Sequence, residues 1–209
     1  RTLNVSGSGY RAQGAVEENG RPVQAARDAA LGRLCEAASL CTTAHITRAK
    51  DVYDVMGDPT EVAVLVAAAK AGVTKEALLQ QYTVIGENPF DAARKRMSVT
   101  VSGPGGVRLL CKGAPDMLLA RCTHIATPAG PRLLAPRDRA DINAACARMA
   151  GEALRVLGFA ESSTPAAGEE KLCFLGLMGM LDPPRPALAE LGLEGLPASG
   201  ALCRAMERY

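Results

Sequence analysis

Two short runs of apolar alternation, 97–102 and 107–112, flank the tetrapeptide Gly103-Pro104-Gly105-Gly106. Glycine tolerates positive φ and proline presets a turn corner, so this tetrapeptide closes a β-hairpin and makes the two runs an antiparallel pair. Just before the hairpin stands Phe90-Asp91-Ala92-Ala93-Arg94-Lys95-Arg96, and just after it Lys112-Gly113-Ala114-Pro115-Asp116. An aromatic plate and a dense set of cations are thereby joined to two apolar strands. That combination suits a flat ring to be stacked and a polyphosphate to be held.

The rest of the chain alternates between helical and extended patterns. Asn4-Val5-Ser6-Gly7-Ser8-Gly9-Tyr10 reads as an edge strand and turn, followed by a polar, Gly-rich loop to Pro22. The spacing of Val23, Ala26, Ala30, Leu34, Ala37 and Cys41 predicts an amphipathic helix over 23–41. Gly57-Asp58-Pro59-Thr60 breaks the chain, a helix over 61–71 ends at Gly72, and Thr74 caps another short helix. A strand is expected over 82–85. Pro115 suits the first turn of a helix to about 122, and a longer helix is expected over 137–152, with strands over 153–160 and 171–180. The fold class is α+β, an antiparallel β-sheet flanked by helices. Asp182-Pro183-Pro184-Arg185-Pro186 stops the last strand. It separates a domain over 1–185 from an atypical tail over 186–209, which is open to partial disorder.

Composition removes several function classes. A net charge of +2 and three phenylalanines disfavour a nucleic-acid binder built on Arg94–Arg96. Seven cysteines without a C-x-x-C pair read as reduced, cytosolic and mostly buried thiols. Two histidines disfavour a Cys/His zinc site and a Ser/His/Asp triad. The longest apolar run, Leu172 to Leu181, is far shorter than the roughly 20 residues that span a bilayer. The chain opens on Arg1-Thr2-Leu3 without an initiator Met, which reads as an excised domain and leaves a membrane-embedded parent open. Ser6-Gly7-Ser8-Gly9 and Gly103-Pro104-Gly105-Gly106 look like phosphate loops, but neither has the required glycine–lysine order, and both read as turns.

On an extended strand Arg94 and Arg96 would face one side and Lys95 the other. Phe90, in a loop before that strand, could lie against a nucleobase, a contact worth about 1–3 kcal/mol. On physics alone, a Phe90 buried in the core with the charges on a solvated face is the slightly better account. Glu61 sits at a helix start, where it could simply complement the dipole or could accept from an adenine amino group. Arg155 is a lone charge in an apolar strand, either solvent-exposed at an edge or a phosphate contact.

Taken in order, Gly57-Asp58-Pro59-Thr60-Glu61, Phe90 through Val99, Lys112-Gly113-Ala114-Pro115-Asp116, Leu154-Arg155-Val156-Leu157 and Gly179-Met180-Leu181-Asp182-Pro183-Pro184-Arg185 form a series. This series resembles the nucleotide-binding domain of P-type cation-transporting ATPases, the calcium-pump-like branch. The resemblance implies that Phe90 stacks on adenine, Lys95 lies beside the ring, and Lys112 with Gly113 lines the inner pocket. Glu61 would meet the adenine amino group, Arg155 the phosphates, and Leu157 would pack near the base. Asp182 and Arg185 would belong to the hinge leading to a phosphorylation domain.

The resemblance further implies a cytoplasmic domain of an integral membrane protein that binds ATP, with Mg2+ in the intact enzyme. Its partners would be the phosphorylation and actuator domains; nucleic acid and direct membrane contact are not expected. The motifs carrying the phosphorylated aspartate and the magnesium ligands are absent from this chain, so no catalytic or metal-binding residue is expected in it. Ala92 stands where relatives often carry an arginine. That departure and the unusual tail support the alternative of a degenerate interaction or regulatory module that no longer binds ATP.

Overall fold

A computed structural model describes residues 1–7, 9, 13–49, 52–181 and 204–206. In chain order the strands are β1 (Thr2–Val5), β2 (Val16–Glu18), β3 (Arg21–Pro22), β4 (His45–Ala49), β5 (Val52–Met56), β6 (Thr83–Asp91), β7 (Arg96–Gly103), β8 (Gly106–Gly113), β9 (Cys122–Ile125), β10 (Arg132–Leu133), β11 (Leu154–Ser162), β12 (Leu172–Leu181) and β13 (Arg204–Met206). The helices are α1 (Ala29–Leu40), α2 (Pro59–Lys70), α3 (Lys75–Leu79), α4 (Pro115–Leu119) and α5 (Pro136–Gly151).

Among the described residues, eleven strands form one sheet with the order β3-β2-β1-β13-β12-β11-β8-β7-β6; β9 flanks β12, and β10 pairs with β9. Every pairing is antiparallel except β9 with β12. Strands β4 and β5 make a separate hairpin. The α+β expectation, an antiparallel sheet flanked by helices, holds.

Both faces of the sheet centre are covered. On one face Met97, Val99, Val101, Leu110, Phe159, Met178 and Met180 pack against α1 and α2. On the other, Leu109, Cys111, Ala160 and Leu177 pack against Leu118, Leu119, Ala145 and Met149 of α4 and α5. Double coverage is why 109–113 of β8 is buried throughout instead of alternating between core and solvent. The central hairpin forms as expected: Gly103 faces Gly106, and the two-residue loop turns on Pro104 and on Gly105 at φ +88°.

Several boundaries differ from the sequence reading. Helix α1 begins at Ala29 rather than Val23, because extended Asp28 accepts the Leu31 N–H at 3.0 Å and caps it. The stretch before it is not simply loop, since it contains β2, β3 and a 3-10 turn over Ala25–Arg27. Strand β1 is not an edge: β2 lies on one side and β13 on the other. Among the described residues the order ends on β3 and on β6; β6 extends to Asp91 and is exposed along its length.

Five of the described cysteines are buried and Cys146 is half-buried, and all six are free thiols. Asp182, Arg185 and most of the 186–209 tail lie outside the described residues.

Candidate functional site

The β6–β7 connection sets the first part of the site. Asp91 pairs with Arg96, leaving Ala92–Lys95 as a turn. Asp91 fixes this turn from within: its carboxylate accepts from the Ala93 and Arg94 N–H groups at 3.0 and 2.8 Å, and its carbonyl accepts from Lys95 N–H at 2.7 Å. Lys95 adopts φ +51°, which an L-residue occupies only when its surroundings impose it.

Arg94 and Lys95 are therefore not on a strand, and strand alternation does not govern them. Arg94 donates to both oxygens of Glu169 at 2.7 Å, and Arg96 donates to the same carboxylate through Nε at 2.6 Å. The Ser98 hydroxyl adds a third donor at 2.9 Å. Burial favours the neutral acid, but the hydrogen bonds from Arg94, Ser98 and Arg96 outweigh it and hold the Glu169 carboxyl below its ordinary range. Of the three consecutive cations, Lys95 is the exposed one. Phe90 is 63% exposed, which overturns its placement in the core.

Gly113 is required by close approach. A Cβ there would sit 2.5 Å from the Lys95 carbonyl oxygen and 2.6 Å from Arg96 Cβ. Without a side chain, the end of β8 lies against the turn, and Ala114 N–H donates to Lys95 O at 2.9 Å.

Lys112, one residue earlier, faces the α1/α2 side, opposite Met97 and Phe159. Only 6% exposed, it meets Glu61 Oε1 at 2.5 Å. Glu61 does not cap its own helix, a role taken by Asp58, which accepts Thr60 N–H at 2.8 Å. Its other oxygen accepts from Thr43 N–H and Ala44 N–H, each at 3.0 Å, and from the Thr43 hydroxyl at 2.7 Å. Burial pushes the Glu61 carboxyl up. The hydrogen bond and charge of Lys112, with hydrogen bonds from Thr43 and Thr42, overcome that and bring it down to about 2. Glu61 is thus ionised and Lys112 neutralised by it.

Arg155 is exposed near the start of β11 and donates to the Thr60 hydroxyl at 3.0 Å, beside Glu61 in the chain. It is not on an edge strand, since β11 lies between β8 and β12. Leu157, two residues on, is half-buried against the α1-side core. Glu61, Lys112, Arg155 and Leu157 therefore gather on one side of the sheet, and the Gly113 contact brings the Lys95 turn to the end of β8. Sequence reasoning missed Glu169, which stands in an unremarkable polar stretch, and Lys75. The Lys75 ammonium donates to the carbonyls of Thr42 and Ala44 at 2.8 and 2.9 Å.

Around the middle of α1 a second ionic cluster forms. Glu161 receives Arg33 and, at 3.1 Å, Arg108; Arg108 also reaches Glu36 at 2.6 Å and stacks over Tyr82 at 5.3 Å. A cavity of about 610 Å³ opens beside it, lined by Arg33, Arg108, His124, Glu161 and Lys171. The cavity and the Glu61–Lys112 pair share no lining residue.

Residues 30–187 match the family described as P-type ATPase, cytoplasmic domain N. The chain belongs to that family. Similar proteins to this N domain include a calcium-transporting ATPase of Bacillus subtilis, 34% identical over 91% of this chain and 22% of the relative. Another is calcium-transporting ATPase 1 of Bacillus cereus, 42% identical over 62% of the chain and 15% of the relative. A calcium-transporting ATPase type 2C member 1 of Pongo abelii is 34% identical over 94% of the chain and 20% of the relative. The N domain thus spans about a fifth of the length of these relatives. Among the described residues, no helix is long and apolar enough to cross a membrane, and no group of three or more His, Cys, Asp or Glu side chains could hold a metal ion.

Proposed function

We propose that this N domain binds ATP by its base and presents the γ-phosphate to an aspartate on a separate phosphorylation domain of a cation pump, with Ca2+ as the transported ion. The observation that carries the reading is the contrast between buried Lys112, ion-paired with Glu61, and two exposed residues, Phe90 at the end of β6 and Lys95 on the turn that follows. Phe90 presents an open face for adenine. Lys95 stands beside it, Lys112 and Gly113 form the floor, Leu157 meets the base, and Arg155 meets the phosphates. Glu61 has used Oε2 three times and Oε1 once. Each carboxylate oxygen has two lone pairs, so Oε1 keeps one acceptor site for an adenine amino group beside Lys112.

In this reading Mg2+ would arrive with the nucleotide and be held by the phosphorylation domain. There it supplies charge stabilisation for in-line phosphoryl transfer. This chain's own task is to bind the base and orient the triphosphate. Asp182 and Arg185 would carry that orientation into the hinge, and the actuator and phosphorylation domains would be the partners of a cytoplasmic module.

The test is an ATP titration of the 209-residue chain by NMR, alongside Phe90→Ala and Lys112→Ala. Saturable binding is expected, weakened about 5- to 150-fold by loss of one stacked aromatic, with no ATP turnover. A folded chain silent at millimolar ATP would leave an interaction module in place of a nucleotide site.

A further inference from the structure

Lys75 occupies an unfavourable position for an ordinary lysine. It lies in the first turn of α3 and is only 9% exposed. A cation there gains nothing from the helix dipole, which is positive at that end. Taking an ammonium out of water is costly unless it is well bonded. No carboxylate is hydrogen-bonded to it among the described residues; its partners are two backbone carbonyls, Thr42 O at 2.8 Å and Ala44 O at 2.9 Å.

Those carbonyls belong to the loop whose N–H groups hold Glu61. The peptide groups at 42–44 are gripped from both sides: carbonyls by Lys75, and the amides of Thr43 and Ala44 by Glu61 Oε2. With its carbonyls anchored, the loop aims its N–H groups at the carboxylate. Glu61, so oriented, turns Oε1 to Lys112. A contact chain therefore runs from α3 to the floor of the candidate site, and each of its three links is made by hydrogen bonds to charged groups, the stronger class.

We propose that Lys75 is a positioning residue of the nucleotide site: it sets the Thr42–Ala44 loop, the loop sets Glu61, and Glu61 sets Lys112. Its effect on ATP rests on the nucleotide reading above; its effect on Glu61 does not. Lys75 would touch neither base nor phosphate. The charged groups that act on it are Glu61 from α2, Lys112 from β8, Glu76 from its own helix and Glu87 from β6.

The test uses the 209-residue chain with Lys75→Met and Thr43→Val. Three readouts are followed: the Thr43 and Ala44 amide proton shifts (the Ala44 shift alone in Thr43→Val), the carboxyl titration of Glu61 by carbon-detected NMR, and ATP affinity. In Lys75→Met the amide protons move upfield as their bonds to Glu61 lengthen. The Glu61 midpoint rises from about 2 toward its ordinary value, and ATP binding weakens about tenfold, as expected for losing a hydrogen bond to a charged group. Thr43→Val, at an exposed position, shifts the Glu61 midpoint in the same direction by less. A purely structural role would lower stability and leave the amide shifts where they are. Unchanged amide shifts and an unchanged Glu61 midpoint in a folded Lys75→Met overturn the inference. If that variant does not fold, an unchanged midpoint in Thr43→Val does so. If the unsubstituted chain binds no ATP, the nucleotide reading fails, and the amide and carboxyl readouts alone decide whether Lys75 positions Glu61.

Discussion

Two ionic clusters near α1 differ in make-up. In the middle of the helix, Arg33 and Glu36 join Arg108 and Glu161, two cations against two carboxylates. Beyond its C-terminal end, Lys112 pairs with Glu61, while Lys75 holds the Thr42 and Ala44 carbonyls of the loop that binds the same carboxylate. The first cluster uses guanidinium forks, which match carboxylates in geometry and hold charges in place inside a fold. The second uses ammonium groups, compact point charges on flexible stems. The first ties helix to sheet through side chains alone; the second ties a loop to a carboxylate through backbone groups.

The sharpest way to break this comparison is Glu161→Gln. It leaves Arg33 and Arg108 sharing no carboxylate at the centre of their network. Breaking a buried pair from one side costs about 3 kcal/mol, at the low end for such sites because Arg33 is partly exposed. Urea unfolding should report that loss, while ATP affinity of the folded variant stays unchanged. A loss of ATP affinity would show that the two clusters are coupled and that the division of labour is wrong.

The acid limb of stability probes the other cluster. The folded-state value for Glu61, about 2, lies below its ordinary value. A depressed carboxyl contributes stability above its unfolded pKa, about 4.3, and that contribution is lost as pH falls through the folded value. Unfolding free energy should therefore decline by roughly 2 kcal/mol between about pH 4.5 and pH 2 on account of Glu61. Glu61→Gln should flatten that part of the profile. An equally steep decline in Glu61→Gln would assign the acid limb to other carboxylates, such as Glu169, whose carboxyl is also held down.

The smallest expected effect on stability is at Phe90. With 63% of its surface exposed, Phe90→Ala should change unfolding free energy by no more than about 0.5 kcal/mol. The same substitution should weaken ATP, which would separate binding from folding within a single residue. A large stability loss would place the ring in the packing after all.

Local chemistry was readable where a short segment decides its own shape. Gly103-Pro104-Gly105-Gly106 predicted its hairpin, Thr74 its helix cap at 3.3 Å to Ala77 N–H, and Gly72 the end of α2. Strands β2 and β3, of three and two residues, have no pattern long enough to detect and exist through pairing alone. The β4–β5 hairpin went unread as well; it is stabilised where Ala44, Ile46 and Val55 pack on Val62, Leu65 and Val66 of α2. The position of β1 could not be read locally because one neighbour, β13, comes from residues 204–206.

The candidate site divides in the same way. By itself the sequence determined which chemical groups are present, where the chain turns, and that Phe90, Lys95 and Lys112 flank one hairpin. Tertiary structure decided which of those groups remain available. Arg94 and Arg96 are taken by Glu169, 75 and 73 residues away, and Lys112 by Glu61, 51 residues away, while Lys95 is left exposed. The reason is physical: an ion pair depends on separation through space and on how much water is excluded around it, and neither quantity is a function of distance along the chain.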